Sequence, residues 1–133
     1  MAAVTRSNKA FHIKKAERNE DFYQKQKLTQ SGFDEWAAIV LFYVCVHYVD
    51  AVLCGDLTLS SYQQEPGNHF ARLKAVAKCP TLKKIAVSYT NLLQRSIDAR
   101  YKMLNIPSGS LSKLETVDYR SVRNHVRTEL GLP

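Results

Sequence analysis

The sequence is short of glycine, proline and cysteine, and each scarcity removes a class of protein. With 5 Gly and 4 Pro against 45% hydrophobic and 23% charged residues, the composition is not that of a disordered or low-complexity chain, and it favours long helices. The 3 cysteines, Cys45, Cys54 and Cys79, are odd in number and form no CxxC pair, which excludes a disulfide framework and a zinc knuckle. They are expected as reduced core residues. Gly-rich phosphate loops, metal-ligand spacings and serine-nucleophile motifs are also missing, so ATPase, metalloenzyme and hydrolase readings fall away, and neither cofactor nor metal is expected. The N-terminus, MAAVTRSNKAFHIKK, has no apolar core behind its charges. A cytoplasmic location is the expectation.

What is present fits one domain of 133 residues, with 1–12 read as a flexible arm. The net charge of +7 is unevenly laid out: residues 1–30 carry seven bases and three acids, 31–66 five acids and no base, and 67–133 twelve bases and four acids. An acidic, apolar middle lies between two basic ends, a distribution that serves phosphate-rich partners and solubility alike.

The stretch 36-WAAIVLFYVCVHYVDAVLC-54 is too long for a strand and admits polar groups in its second half, so it predicts a buried central helix and not a membrane span. Before it, 13–31 predicts an amphipathic helix with Ile13, Ala16, Phe22 or Tyr23, and Leu28 as its apolar stripe. Asp34 is placed to cap the central helix. After a polar connection, Gly55 to Gly67, Asn68 caps a short helix that Pro80 stops, and Thr81 caps a long one whose buried face runs Leu82, Ile85, Ala86, Tyr89, Leu92, Leu93. A loop, 105–110, leads to a last helix through Val117, Val122, Val126 and Leu130. The expected fold is an all-α, four- to five-helix up-and-down bundle.

Polar residues fall on the inward stripes. Tyr43, His47, Asp50 and Cys54 follow at spacings of four, three and four, and the stripe through Tyr89 and Leu93 continues to Ser96 and Arg100. A buried guanidinium needs a carboxylate, because an unpaired buried charge costs several kcal/mol, and Asp50 is the expected partner of Arg100. In 69-HFAR-72, His69 and Arg72 lie one turn apart. With His47 they form a candidate trio in which imidazole moves a proton and guanidinium holds a phosphate. For each histidine the bland alternative is a satisfied core or cap residue. Lys83 and Lys84 are candidate nucleic-acid contacts, or simply a solvated face.

The order KKAERNEDFYQ, then Trp36 and LFYVCVHYVDAVL, then NHFARLK, then YTNLLQRSIDARYK resembles the HEPN domain of small stand-alone prokaryotic proteins, over roughly residues 12–104. The resemblance implies a helical bundle, commonly a homodimer, acting on or binding RNA or a nucleotide, in some members as a metal-independent ribonuclease of toxin–antitoxin or defence systems. Active members carry Arg-x4-6-His, often with Asn after the Arg. Arg120 with His125 and Arg6 with His12 fit that spacing, and neither Arg is followed by Asn. The order in 69-HFAR-72 is reversed, which departs from the nuclease pattern. The alternative is a non-catalytic helical interaction module that dimerises or binds a nucleotidyltransferase-type partner.

Overall fold

A computed structural model describes residues 8–102, 106 and 109–133. Among these, every regular element is helical, so the protein is an all-α bundle as expected. The long helices are α1 (Lys9–Lys25), α2 (Asp34–Leu53) and α5 (Ala86–Tyr101); the short ones between α2 and α5 are α3 (Ser61–Gln64) and α4 (His69–Lys78). The last helical rod joins α6 (Ser110–Lys113) through a π-helical segment, Leu114–Tyr119, to α7 (Arg120–Glu129).

Side-chain pairs fix the directions of these helices. His12 meets His47, and Lys9 shares a cavity with Ala51 and Val52, so α1 runs antiparallel to α2. Arg100 meets Tyr43 while Tyr89 lies beside Asp50, so α5 is antiparallel to α2 as well. Tyr23, Glu20 and Glu17 meet Glu115, Arg123 and Arg127 in that order, which sets the last rod antiparallel to α1. The four long elements therefore alternate up and down, with α3 and α4 inserted in the connection between the second and third.

The axis of the bundle is α2. Leu41, Phe42, Val44, Cys45, Tyr48, Val49 and Leu53 are all at most 1% exposed, and neighbours cover the helix on nearly every side. Two-thirds of its apolar stretch lies inside the protein, although by length and composition alone it would cross a bilayer. Its first turn is more open: Phe33 and Trp36 are each 58% exposed.

Boundaries differ from expectation where caps and register decide them. Helix α1 starts at Lys9 because the Asn8 side chain accepts the Phe11 amide N–H. Residues 9–12 therefore belong to a helix and not to an arm, and Tyr23, not Phe22, faces the core. Phe33, not Asp34, precedes the first turn of α2. Asn68 caps α4 as expected, accepting from Ala71. Thr81 does not cap the long helix: a 3₁₀ turn, Lys83–Ile85, intervenes, and α5 begins at Ala86. The connection 55–67 contains α3, held by a capping box at Ser60 and Gln63. Half of the expected loop 105–110, namely 105, 107 and 108, lies outside the described residues.

The last rod shows the largest change of register. Its inward positions are Leu111, Leu114, Asp118, Val122 and Val126, all buried, whereas Val117 is 48% exposed. An acid occupies the position that apolar patterning assigned to valine, and Asn91 donates to it at 3.2 Å. Truncating Val122 to Ala should cost about 2 kcal/mol, from the lost methyls and the void they leave, while Val117→Ala should stay within about 0.5 kcal/mol. Urea unfolding of both variants checks the register; equal losses would contradict it.

Candidate functional site

Asp50 and Arg72 form the centre of a polar cluster between α2 and α4. Arg72 Nε donates to Asp50 Oδ1 at 2.9 Å, with side chains 11% and 10% exposed. Burial works against the guanidinium charge, and the carboxylate more than offsets it, so the Arg72 pKa is raised. Arg72 Nη1 donates to His69 Nδ1 at 3.3 Å and Nη2 to the Pro66 carbonyl at 3.5 Å. Because a guanidinium only donates, His69 Nδ1 is an acceptor, and the neutral ring carries its proton on Nε2.

The expected Asp50–Arg100 pair is therefore not formed. Arg72 reaches Asp50 from the short helix, and Arg100 turns to Tyr43, donating from Nη1 to its hydroxyl at 2.7 Å and from Nε to the Ser96 carbonyl at 3.4 Å. Its guanidinium carbon also lies 4.7 Å from the Tyr101 ring centre and 5.4 Å from that of Tyr43, within the range of cation–π attraction. Arg100 is met by π-faces and neutral oxygens at Nε and Nη1, and not by a charge.

His69 lies between these two cations. Its ring contacts Phe42 and Tyr43 edge-on, with centroids 5.2 and 6.1 Å away. Burial lowers its pKa, and Arg72 and Arg100 lower it further against the opposite pull of Asp50, so the imidazole is held neutral. Among the described residues, three polar atoms are buried with no hydrogen-bond partner: Tyr89 Oη, Ser96 Oγ and Arg100 Nη2. All three belong to α5, and their spacing of seven and four places them on one face. The Tyr89 hydroxyl lies beside Arg72 without a hydrogen bond of good geometry.

His47 is half-buried on the α1 side of the cluster, and its partner is a residue that sequence reasoning assigned to the arm. The Nδ1 atoms of His12 and His47 lie 3.3 Å apart, a distance that allows one proton between them. Burial depresses both pKa values; Asp50 pulls each upward and Arg72 each downward, with Lys15 also lowering His47 and Glu65 raising His12. A helix begun one turn earlier would have exposed the signal, because His12, Ala16, Glu20 and Tyr23 fall at spacings of four, four and three and are all buried.

The remaining candidates lie elsewhere. Arg120 and His125 point to different sides of α7: Arg120 lines a cavity with Tyr23 and Tyr119, while His125 Nε2 donates to the Thr81 carbonyl at 2.5 Å. His125 pins α7 to the α4–α5 connection, and the chain does not assemble this pair into one site. The other Arg-x-His match begins at Arg6, outside the described residues. Lys83 and Lys84 are exposed at the start of α5, the end opposite Arg100. Cys45 and Cys79 are buried free thiols, and Cys54 is partly exposed at the end of α2.

A second polar cluster escaped the sequence reading. Glu20, 8% exposed, accepts from Tyr48 at 2.9 Å, from Arg123 at 2.5 Å and from Tyr119. Arg127 donates to Tyr48 and to Glu17 at 2.9 and 3.0 Å. Burial pushes the Tyr48 phenol up to about 12, so it stays a donor. The cluster ties α1, α2 and α7 together. Among the described residues no group of His, Cys, Asp and Glu is arranged to hold a metal.

Comparison with protein-family models, with curated proteins and with solved structures returns no match to this chain.

Two outcomes follow. Asp50→Ala and Arg72→Ala should each cost about 3 kcal/mol, because each strands a buried charge. The double variant should lose clearly less than their sum, measured by urea unfolding. For the histidine pair, each imidazole binds its proton more weakly folded than unfolded. Unfolding then takes up protons, so stability is fully present above the unfolded value of 6.5 and is lost as pH falls below it. Melting between pH 7.5 and 5 should show this decline, and His12→Gln should flatten it.

Proposed function

We propose that this chain is a HEPN-like helical domain that binds RNA or a nucleotide through its phosphates, at His69, Arg100 and Tyr43, with Arg72 orienting the His69 ring. The observation that carries this reading is the unmatched donor capacity on one face of α5: among the described residues Arg100 Nη2, Ser96 Oγ and Tyr89 Oη are buried without hydrogen-bond partners, and Arg100 acts electrostatically on the neutral His69 imidazole. Native proteins leave few buried polar atoms unpaired, and those that remain call for a water, a ligand or a stored function. A phosphate oxygen is an acceptor that a guanidinium binds strongly, and His69 Nε2–H is a second donor of the same polarity. Among the described residues Arg100 forms no ion pair with a carboxylate, which supports an anion as the ligand.

Phosphate binding accords with the geometry better than activation of a 2'-hydroxyl. The His69 lone pair on Nδ1 is covered by Arg72, so the ring offers a proton and not a base. Metal-independent cleavage therefore requires Arg72 to move, or His47 to act in place of His69. The homodimer and a role in toxin–antitoxin or defence systems belong to the same reading and rest on the resemblance alone; the cytoplasmic location rests on the N-terminal sequence.

The non-catalytic alternative, a module that dimerises or engages a nucleotidyltransferase-type partner, is favoured by one specific feature. Every nitrogen of Arg72 has an internal acceptor, as a residue devoted to holding α4 would. Mixed single-stranded RNA incubated with the protein in EDTA separates the readings. Retarded mobility that is weakened about tenfold or more by Arg100→Ala and lowered by His69→Ala supports phosphate binding. Cleavage lost in the same variants adds catalysis. Unchanged mobility and intact RNA would leave the interaction module.

A further inference from the structure

The largest cavity described, about 720 Å³, opens where the C-terminal part of α1 meets the π-helical segment and the start of α7. Its size lies within the range of small-ligand sites. It is a different place from the His69 cluster: Tyr43, His47 and Asp50 leave α2 on one face, whereas Tyr48, which reaches the wall of this cavity through Glu20, leaves on another.

Two kinds of group line it. Glu20 and Glu115 are already matched, the first by Arg123 and two phenols, the second by the Tyr23 hydroxyl at 2.8 Å. Lys27 and Arg120 face the same space, both exposed, and neither forms an ion pair among the described residues. Asn124 lies one turn beyond Arg120, so guanidinium and amide project from one face of α7. The acids are spoken for and the free donors are cationic.

The backbone holds this arrangement in unusual conformations on both walls. Lys27 sits at φ 50° and ψ 48°, the only non-glycine residue with positive φ among those described, a region that a lysine adopts at a cost. Opposite it, the helix is π-wound from Leu114 to Tyr119, immediately before Arg120. Such segments are rare and concentrate at functional sites. Here the π turn delivers Glu115, Tyr119 and Arg120 to the same space.

We propose that this cavity is a binding site for a small organic oxyanion, a carboxylate or a phosphate ester, held by Arg120 and Lys27 with Asn124 as a neutral donor. The two bound acids set the polarity of the wall: Glu20 and Glu115 repel the anion from the floor and direct it toward the two free cations at the rim. The phenols of Tyr23 and Tyr119 point their protons at those acids, so they offer the ligand ring surface and not further donors. The site is independent of the RNA reading and stands or falls without it.

Isothermal titration calorimetry of the intact protein in about 150 mM salt, with succinate, glycerol phosphate and inorganic phosphate as separate probes and glycerol as a neutral control, tests the assignment. At least one oxyanion should bind with a dissociation constant of about 1 mM or tighter. That binding should weaken about tenfold in Arg120→Ala and in Lys27→Ala. Both side chains are exposed, so neither substitution endangers folding. Lys14→Ala, an equal loss of charge on α1 outside the cavity, should leave it unchanged. Succinate alone, or glycerol phosphate alone, identifies which oxyanion the site takes. Absence of heat with all three anions, or binding that survives Arg120→Ala, overturns the proposal.

Discussion

Burial of α2 on nearly every side is the constraint from which the rest follows. A helix covered on almost every side has no solvent to satisfy its polar side chains, so each one must be met by another element. Tyr43 requires Arg100 of α5, His47 requires His12 of α1, Tyr48 requires Glu20 of α1 and Arg127 of α7, and Asp50 requires Arg72 of α4. Apolar packing brings these neighbours to α2 without saying how far each slides along it. The polar pairs fix that position, because a shift of one turn would strand a buried donor or charge. Such use of buried polar groups for register is known in helical assemblies, and here one helix supplies a contact of this kind to every long neighbour.

Much of this was legible in the sequence, and the reasons for success and failure are physical. The length and apolarity of 36–54 required a central helix, and regular spacing placed Tyr43, His47 and Asp50 on one face and Ser96 and Arg100 on another. The expected Asp50–Arg100 pair does not form, although Asp50 does meet a buried guanidinium, that of Arg72. The expectation chose the wrong arginine, because periodicity ranks residues on a helix face but carries no information about the distance between faces. Arg72, on a ten-residue helix, is singled out in the sequence with His69 as a phosphate-holding candidate and not as a partner of Asp50, and only the packed structure places it against that carboxylate. Arg100 showed the opposite error: π-faces and carbonyls can receive a guanidinium, so the need for a carboxylate was overstated.

Other misses arose from reading polar residues as surface. Asp118 was passed over for Val117 because patterning favours the apolar residue, yet the π turn and the Asn91 amide make the acid the inward one. Glu20 was hidden in a run of charges, although it falls four residues after the buried Ala16. His12 was lost through the helix boundary alone. In each case the backbone stripe was readable, and what was missing was the partner on a distant segment. The separation of Arg120 from His125 has a simpler origin: five residues turn an α-helix by about 500°, so the two side chains leave it some 140° apart. That spacing can form a site only with a second chain or a second helix.

The arginines divide according to how their donors are used, and this division separates scaffold from function. Arg72 has an acceptor at each nitrogen, and Arg127 bonds Glu17, Tyr48 and the Pro133 carbonyl. A guanidinium in that state is neutralised where it stands, and taking up an external phosphate would break bonds that hold helices together. Arg100 and Arg120 differ. Among the described residues the first has a buried Nη2 without an acceptor and no carboxylate partner, and the second faces a cavity whose acids already have partners. Binding a phosphate or carboxylate at either adds an interaction without removing one, so the free energy of the new bonds is not offset by a loss in the fold. Histidine follows the same rule. His125 has committed its Nε2–H to a backbone carbonyl, whereas His69 is oriented by Arg72 through Nδ1 and retains Nε2–H. The groups left with unspent donors are where, on both proposals, this bundle would meet an anion, at two separate faces of one scaffold.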